Sequence, residues 1–280
     1  ILELATNKEV KNIIIKRPLR AHKLVEESML LANECSAEFM QERFGFGVFR
    51  IHEDPDPSKL EVLKKYFQMP AQIAKQSSPL EIINYCLKQA HEKQDDSGQI
   101  LVLQTLARAE YSTNNLGHFG LQLKQYSHFT SPIRRYPDLL THRMIIKSLA
   151  HKKGGYNQSQ LQDMCEDSSV LERRAEKASR QVEQVLICSF LKDKIGSEVD
   201  GVVTGVTDFG LFVNLEDYFI SGLLHVSDLP GDRYHLIQGA NILKGKRTGK
   251  SFKLGQKIKV KIMAIAPLDR KINLVIADGK

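Results

Sequence analysis

The chain has 280 residues, 42% of them apolar and 26% charged, and a formal net charge of +7. This is an ordinary globular mixture with room for about two domains, and its basic excess favours a polyanionic partner without requiring one. No run of about 18 apolar residues occurs, which excludes a transmembrane helix and leaves no membrane partner to expect.

The four cysteines, Cys35, Cys86, Cys165 and Cys188, lack a metal-binding spacing, and each falls in an apolar helical pattern. They read as reduced core thiols of a reducing compartment, the cytoplasm. The opening Ile1-Leu2-Glu3-Leu4 shows neither an initiator methionine nor a signal-peptide pattern and reads as a strand entered midway, so a fragment is expected.

In chain order, residues 1–18 read as a short hairpin turning at Asn7-Lys8, after which Pro18 opens a helix. Leu24, Ser28, Leu31, Cys35 and Phe39 recur at three- and four-residue spacing and predict its buried face through about Gln41. Residues 45–57 read as a loop broken by Asp54-Pro55-Asp56-Pro57. Helices are predicted at about 58–67, 79–92 and 97–109, then a long loop over 111–138. A loop of that length inside a compact domain is usually functional.

Two more helices follow, at about 137–151 and, after Gly154-Gly155, about 158–194. In the second, Met164, Ser168, Leu171, Ala175, Ala178, Val182 and Val185 form a heptad-like stripe that predicts a packing seam. From Gly196 the texture changes to short strands and glycine turns. Residues 198–204, 211–215, 222–225, 257–266 and 271–276 read as five strands of a small closed barrel. The best domain boundary lies near residue 195, dividing the chain into 1–195 and 196–280.

The run GVVTGVTDFGLFV at 201–213, followed by GLLHVS at 222–227, resembles the S1 RNA-binding domain, an OB-fold, over about residues 196–278. The resemblance implies that Phe209, Phe212 and His225 form a surface on which bases stack, worth roughly 1–3 kcal/mol per base without reading sequence. A stripe of cations over 243–261, including Lys244, Lys246, Arg247, Lys250, Lys253, Lys257, Lys259 and Lys261, would track phosphates. The competing readings are barrel core for the two phenylalanines and a solvated face for the lysines.

The segment 117–143 gathers His118, His128, His142, Arg134, Arg135 and Arg143 beside a helix start. Ser131 or Thr130 could cap a turn before Pro132, and Asp138 falls in the first helical turn, where a carboxylate is favoured. Arg134 and Arg135 are candidates for phosphate clamping, because a guanidinium presents a planar fork to a phosphate. On chemistry alone a structural salt-bridge cluster is an equal reading.

The motifs GHFGL at 117–121, YSHFT at 126–130 and TSPIRRYPD at 130–138 resemble the signature of the RNB family of exoribonucleases, in its ribonuclease R branch. The run AHKLVEESMLLAN at 21–33 resembles the family's helix lining the RNA channel, and an S1 domain follows in the family's order. The implied fold is α+β: a mainly helical C-terminal portion of an RNB-type catalytic domain, then a five-stranded OB-fold barrel. The implied activity is 3′→5′ hydrolysis of single-stranded RNA to nucleoside 5′-monophosphates. Arg134 matches the family's catalytic arginine, and Glu26, Glu27, His118, Tyr126, His128, Arg135, Phe209, Phe212, His225, Lys257 and Lys259 are the expected RNA contacts.

The family also uses Mg²⁺ held by clustered aspartates, and nothing in this chain matches that cluster. Asp54 and Asp56 sit in a proline-broken loop and Asp95-Asp96 precede a helix, so both pairs read as surface acids. No metal ligand is expected here. The expectation is a monomeric C-terminal part of a Mg²⁺-dependent exoribonuclease, inactive or nearly so without the N-terminal part of the same protein. The alternative is a non-catalytic RNA-binding adaptor that uses the S1 barrel.

Overall fold

The computed structural model describes residues 2–6, 9–14, 19–152, 155–218, 220–237 and 242–277; of Asp96 and Ser97 it describes the backbone alone. The expected turn at Asn7-Lys8, the helix opening at Pro18 and the expected break at Gly154 lie outside the described residues. Along the chain run strands β1 (Leu2–Leu4) and β2 (Val10–Ile13), helix α1 (Arg20–Phe44), strand β3 (Phe49–Ile51) and helices α2 (Pro57–Tyr66), α3 (Ala71–Gln76), α4 (Pro79–Glu92) and α5 (Asp96–Thr105). Strand β4 (Glu110–Ser112) and helices α6 (Tyr136–Leu149) and α7 (Gln158–Phe190) follow. The last strands are β5 (Glu198–Val206), β6 (Gly210–Leu215), β7 (Ile220–His225), β8 (Tyr234–Ile237), β9 (Ile242–Gly245), β10 (Ser251–Lys253), β11 (Lys257–Ala266) and β12 (Lys271–Ile276). The architecture is α+β, with helices first and a five-stranded closed barrel after them.

The chain packs as two compact units. One comprises residues 17–59 and 104–177, and its core includes Met40, Phe49, Tyr111, Leu140, Leu161 and Cys165. Strands β3 and β4 pair antiparallel here with Phe49 opposite Ser112, inside two segments that the sequence reads as loop. Three residues are too few to show a two-residue alternation.

The buried face of α1 is not the one its apolar spacing predicts. Asn33, Ser36, Ala37 and Met40 are buried, whereas Leu24 is 71% and Leu31 62% exposed. The reason is polar: the inward Asn33 finds three hydrogen-bond partners in the loop opposite, a gain that hydrophobic periodicity cannot register. The stripe predicted for α7 is displaced likewise. Leu161, Cys165 and Ser169 are buried at four-residue spacing, Leu171 and Val182 are exposed, and every residue from Arg173 to Arg180 is exposed.

The other unit comprises 1–16, 60–103 and 178–280. Helix α4 starts where Ser78 and Glu81 cap each other reciprocally, with Pro79 at the first helical position, and it buries Ile82, Ile83, Cys86 and Ala90. The barrel closes in the order β11-β12-β7-β6-β5, antiparallel except where β12 meets β7. Its core takes alternate residues such as Leu211, Val213 and Leu215 on β6, all wholly buried. Between β7 and β11 the structure adds a three-stranded antiparallel sheet, β8-β9-β10, which the sequence reading passes over.

All four cysteines are free thiols. Cys86, Cys165 and Cys188 are buried as predicted, and burial pushes the Cys86 and Cys165 thiols up to about 11 and about 12. Cys35 is a correction: it is exposed, because α1 turns the neighbouring Ser36 and Ala37 inward instead. Among the described residues no helix is long and apolar enough to cross a membrane.

Candidate functional site

The loop between β4 and α6 is held from behind by buried polar side chains. Asn33 on α1 donates to the Tyr126 hydroxyl at 2.9 Å and accepts from the backbone N–H groups of Phe129 and Thr130 at 2.9 and 3.2 Å. Ser127 donates to the Val48 carbonyl at 2.7 Å. His142 stacks on Phe129 with ring centroids 4.0 Å apart and meets its carbonyl at 2.8 Å. Each bond joins residues far apart in sequence, so the loop has one conformation only in the folded unit.

A second layer is aromatic. His52 stacks on His118 at 5.1 Å, and Tyr126 stands edge-on to both His118 and His128. His128 Nδ1 meets the Tyr111 hydroxyl at 2.8 Å. Arg50 lies over the Tyr111 ring at 4.6 Å and forms a bidentate pair with Glu172, at 2.7 and 3.1 Å. Burial, then the neighbouring His52, lowers His118 to about 4; burial, then the positive charge of Arg135 and Arg50, lowers His128 to about 3. Both imidazoles are therefore neutral at pH 7, and burial also raises the Tyr111 phenol to about 12. Asn33, Arg50, Tyr111 and Glu172 escape the sequence reading. Their partners lie from 17 to 122 positions away, and no local motif signals them.

The structure separates the two adjacent arginines. Asp138, wholly buried, accepts from the Arg135 guanidinium at 2.8 and 2.7 Å and from the Ser131 N–H at 2.7 Å. Arg135 thus closes the turn ahead of α6. Arg134 is exposed, and among the described residues no carboxylate pairs with it. In the same turn, Thr130 Oγ1 is buried without a hydrogen-bond partner. Tyr126 is 6% exposed and His118 and His128 are half-buried, whereas Glu26 and Glu27 are exposed on α1.

In the barrel, Phe209 and Phe212 are 44% and 37% exposed and meet edge to face with centroids 5.9 Å apart. His225 is exposed and pairs through Nδ1 with the Ser227 hydroxyl at 2.7 Å. Gly210 lies opposite His225 between β6 and β7, and a methyl group there would collide with the Leu224 carbonyl. Glycine thus lets the two strands approach where the aromatic residues gather. Lys257 and Lys259 are exposed on β11, where they lie 3.7 Å from Glu216 and 3.5 Å from Glu198.

Among the described residues no three His, Cys, Asp or Glu side chains are placed to hold a metal ion. The carboxylate nearest Arg134 in sequence, Asp138, is already filled by Arg135 and Ser131. Asp56 accepts from Ser58, and Asp95 from Tyr66 and Gly98. These residues do not fit a Mg²⁺ centre.

Two family models match: the RNB domain over residues 2–151 and the S1 RNA binding domain over residues 192–276. Ribonuclease R of Vibrio cholerae is 38% identical over 275 residues, a match covering 92% of this chain and 33% of that protein. Ribonuclease R of Escherichia coli is 36% identical over 276 residues, covering 93% and 34%. Mycoplasma genitalium RNase R, solved in complex with ribose-methylated single-stranded RNA, matches with a TM-score of 0.87 at 25% identity, over 98% of this chain and 44% of that one. The chain spans about a third of the length of the curated relatives it matches.

Proposed function

Because the chain belongs to the RNB family, we propose that it is the C-terminal portion of a ribonuclease R-type 3′→5′ exoribonuclease that hydrolyses RNA processively to nucleoside 5′-monophosphates. The domains are then the C-terminal part of the RNB domain over 1–195 and the S1 domain over 196–280. One observation carries the reading: within the family's signature loop, Arg135 is tied down by a buried carboxylate and Arg134 is exposed without one.

A guanidinium held at a scissile phosphate stabilises the charge that develops there, an effect worth several kcal/mol when the group is preorganised. Arg134 takes that role, and the turn built on Asp138 positions it. Glu26 and Glu27 approach the RNA from α1. The edge-on pair Phe209 and Phe212, with His225, stacks bases at the barrel, and Lys257 and Lys259 lie along the phosphates. His118, Tyr126 and His128 act mainly from beneath, as the stiff floor of the loop.

Since the carboxylates described here do not fit Mg²⁺, the metal's ligands belong to sequence outside this chain. The chain alone binds single-stranded RNA and does not hydrolyse it. The test is release of nucleoside 5′-monophosphate from a 3′-extended single-stranded RNA with Mg²⁺, with filter binding of the same RNA in parallel. Binding without release is expected. Release that is lost in Arg134→Ala and on chelation would show that carboxylates of this chain do assemble a metal centre.

A further inference from the structure

The sheet β8-β9-β10 has two unlike sides. Tyr234, Leu243 and Phe252 are buried in the barrel core, while His235, Lys244 and Ser251, which pair across the three strands, are exposed. Over residues 231–253 the sequence places six cations, Arg233, Lys244, Lys246, Arg247, Lys250 and Lys253, against one acid, Asp232. None of the six forms an ion pair with a described residue, in contrast to Lys257 and Lys259 on β11.

Asp232 does not neutralise these cations through their side chains. Its carboxylate is turned into the backbone of the β9–β10 turn, where it accepts from the N–H groups of Arg247 at 2.9 Å and Thr248 at 2.6 Å and from the Thr248 hydroxyl at 2.7 Å. It also accepts from the Arg233 N–H at 2.7 Å. The Lys246 N–H reaches the Arg233 carbonyl at 3.0 Å, and the Arg247 side chain reaches the Gly231 carbonyl at 2.9 Å. A Cβ on Gly245 would stand 2.5 Å from the Asp232 carboxylate, so the close approach requires glycine. These donors, the Thr248 N–H first, hold the Asp232 carboxyl down at about 2, ionised throughout the physiological range. The turn is a built object, with exposed cations at its tip.

We propose that this cationic turn is a second RNA contact of the barrel, one that holds phosphates and is separate from the base-stacking pair Phe209 and Phe212, and that Asp232 is the residue that positions it. The partner is the ribose-phosphate backbone of single-stranded RNA. The inference rests on the proposal that the barrel binds RNA, and the experiment separates the two.

The full chain is titrated with a fluorescent 20-nucleotide oligouridine across a series of salt concentrations, as wild type, Phe209→Ala/Phe212→Ala, Arg247→Ala/Lys250→Ala and Asp232→Asn. For single strands each phosphate contact contributes about −0.7 to the slope of log K against log salt. The Arg247→Ala/Lys250→Ala variant is expected to flatten the slope by about 1.4, whereas Phe209→Ala/Phe212→Ala weakens binding at an unchanged slope. Asp232→Asn decides the positioning role by sign. Removing a negative charge would tighten RNA binding if charge alone mattered; loss of the turn's order is expected to weaken it about three- to tenfold, since several charge-assisted bonds are lost. Equal or tighter binding by Asp232→Asn would overturn the positioning role, and an unchanged slope in Arg247→Ala/Lys250→Ala would overturn the phosphate contact. A wild-type chain that binds no RNA would refute the underlying proposal. Circular dichroism of each variant checks that the barrel has folded.

Discussion

On β6 of the barrel, Leu211 is wholly buried and its neighbour Phe212 is exposed beside Phe209; in the loop ahead of α6, Arg135 is bound by a buried carboxylate and its neighbour Arg134 is exposed. The outcomes match and the causes differ. In a strand the pleat alone sends successive side chains to opposite sides, so the exposure of Phe212 beside a buried Leu211 follows from a local rule. In the loop no strand alternation separates the two adjacent arginines: Asp138, three residues beyond Arg135, takes that guanidinium and leaves Arg134 outside. The loop that carries them is itself held by Asn33 and Tyr111, whose partners there lie 93 and 17 positions away.

The comparison can be broken hardest at Asp138. Asp138→Ala leaves the Arg135 guanidinium and the Ser131 N–H without their partner, and is expected to cost about 3–5 kcal/mol by urea denaturation. The barrel counterpart, Leu211→Ala, opens a core cavity at a cost of about 2–5 kcal/mol. Tyr126→Phe removes the acceptor of the buried Asn33 amide and should cost about 1–3 kcal/mol. Phe212→Ala should change stability by less than about 1 kcal/mol while weakening RNA binding by about 1–3 kcal/mol. A large loss of stability in that variant would make Phe212 a packing residue.

Acid sharpens the contrast, because the loop carries buried neutral histidines. In the unfolded chain His118 and His128 take up protons near pH 6.5, but in the fold only near about 4 and about 3. The unfolded state thus binds more protons between these values, and stability falls as pH drops from about 6.5 toward 3. Urea midpoints between pH 7 and pH 5 should decline, and His128→Gln should decline less steeply. An equal decline in both would show that His128 does not contribute.

How much the sequence revealed follows the same division. The strands at 257–266 and 271–276 coincide with the predicted ones, while Phe212, for which a stacking surface and barrel core were both open readings, lies outside the core. The inward faces of α1 and α7 were misplaced because they include Asn33 and Ser169, polar residues that are buried while accepting from backbone N–H groups of distant segments. The sheet β8-β9-β10 was missed because its strands of three and four residues are short and its turn depends on Asp232, 15 and 16 positions before Arg247 and Thr248, the turn residues it holds.

The most direct test of the account compares Arg134→Ala with Arg135→Ala, measuring urea stability and single-stranded RNA affinity on the same preparations. The prediction is that Arg134→Ala keeps stability within about 0.5 kcal/mol and weakens RNA binding, whereas Arg135→Ala loses about 3–5 kcal/mol of stability. Equal destabilisation by the two variants, or RNA affinity indifferent to Arg134, would contradict it.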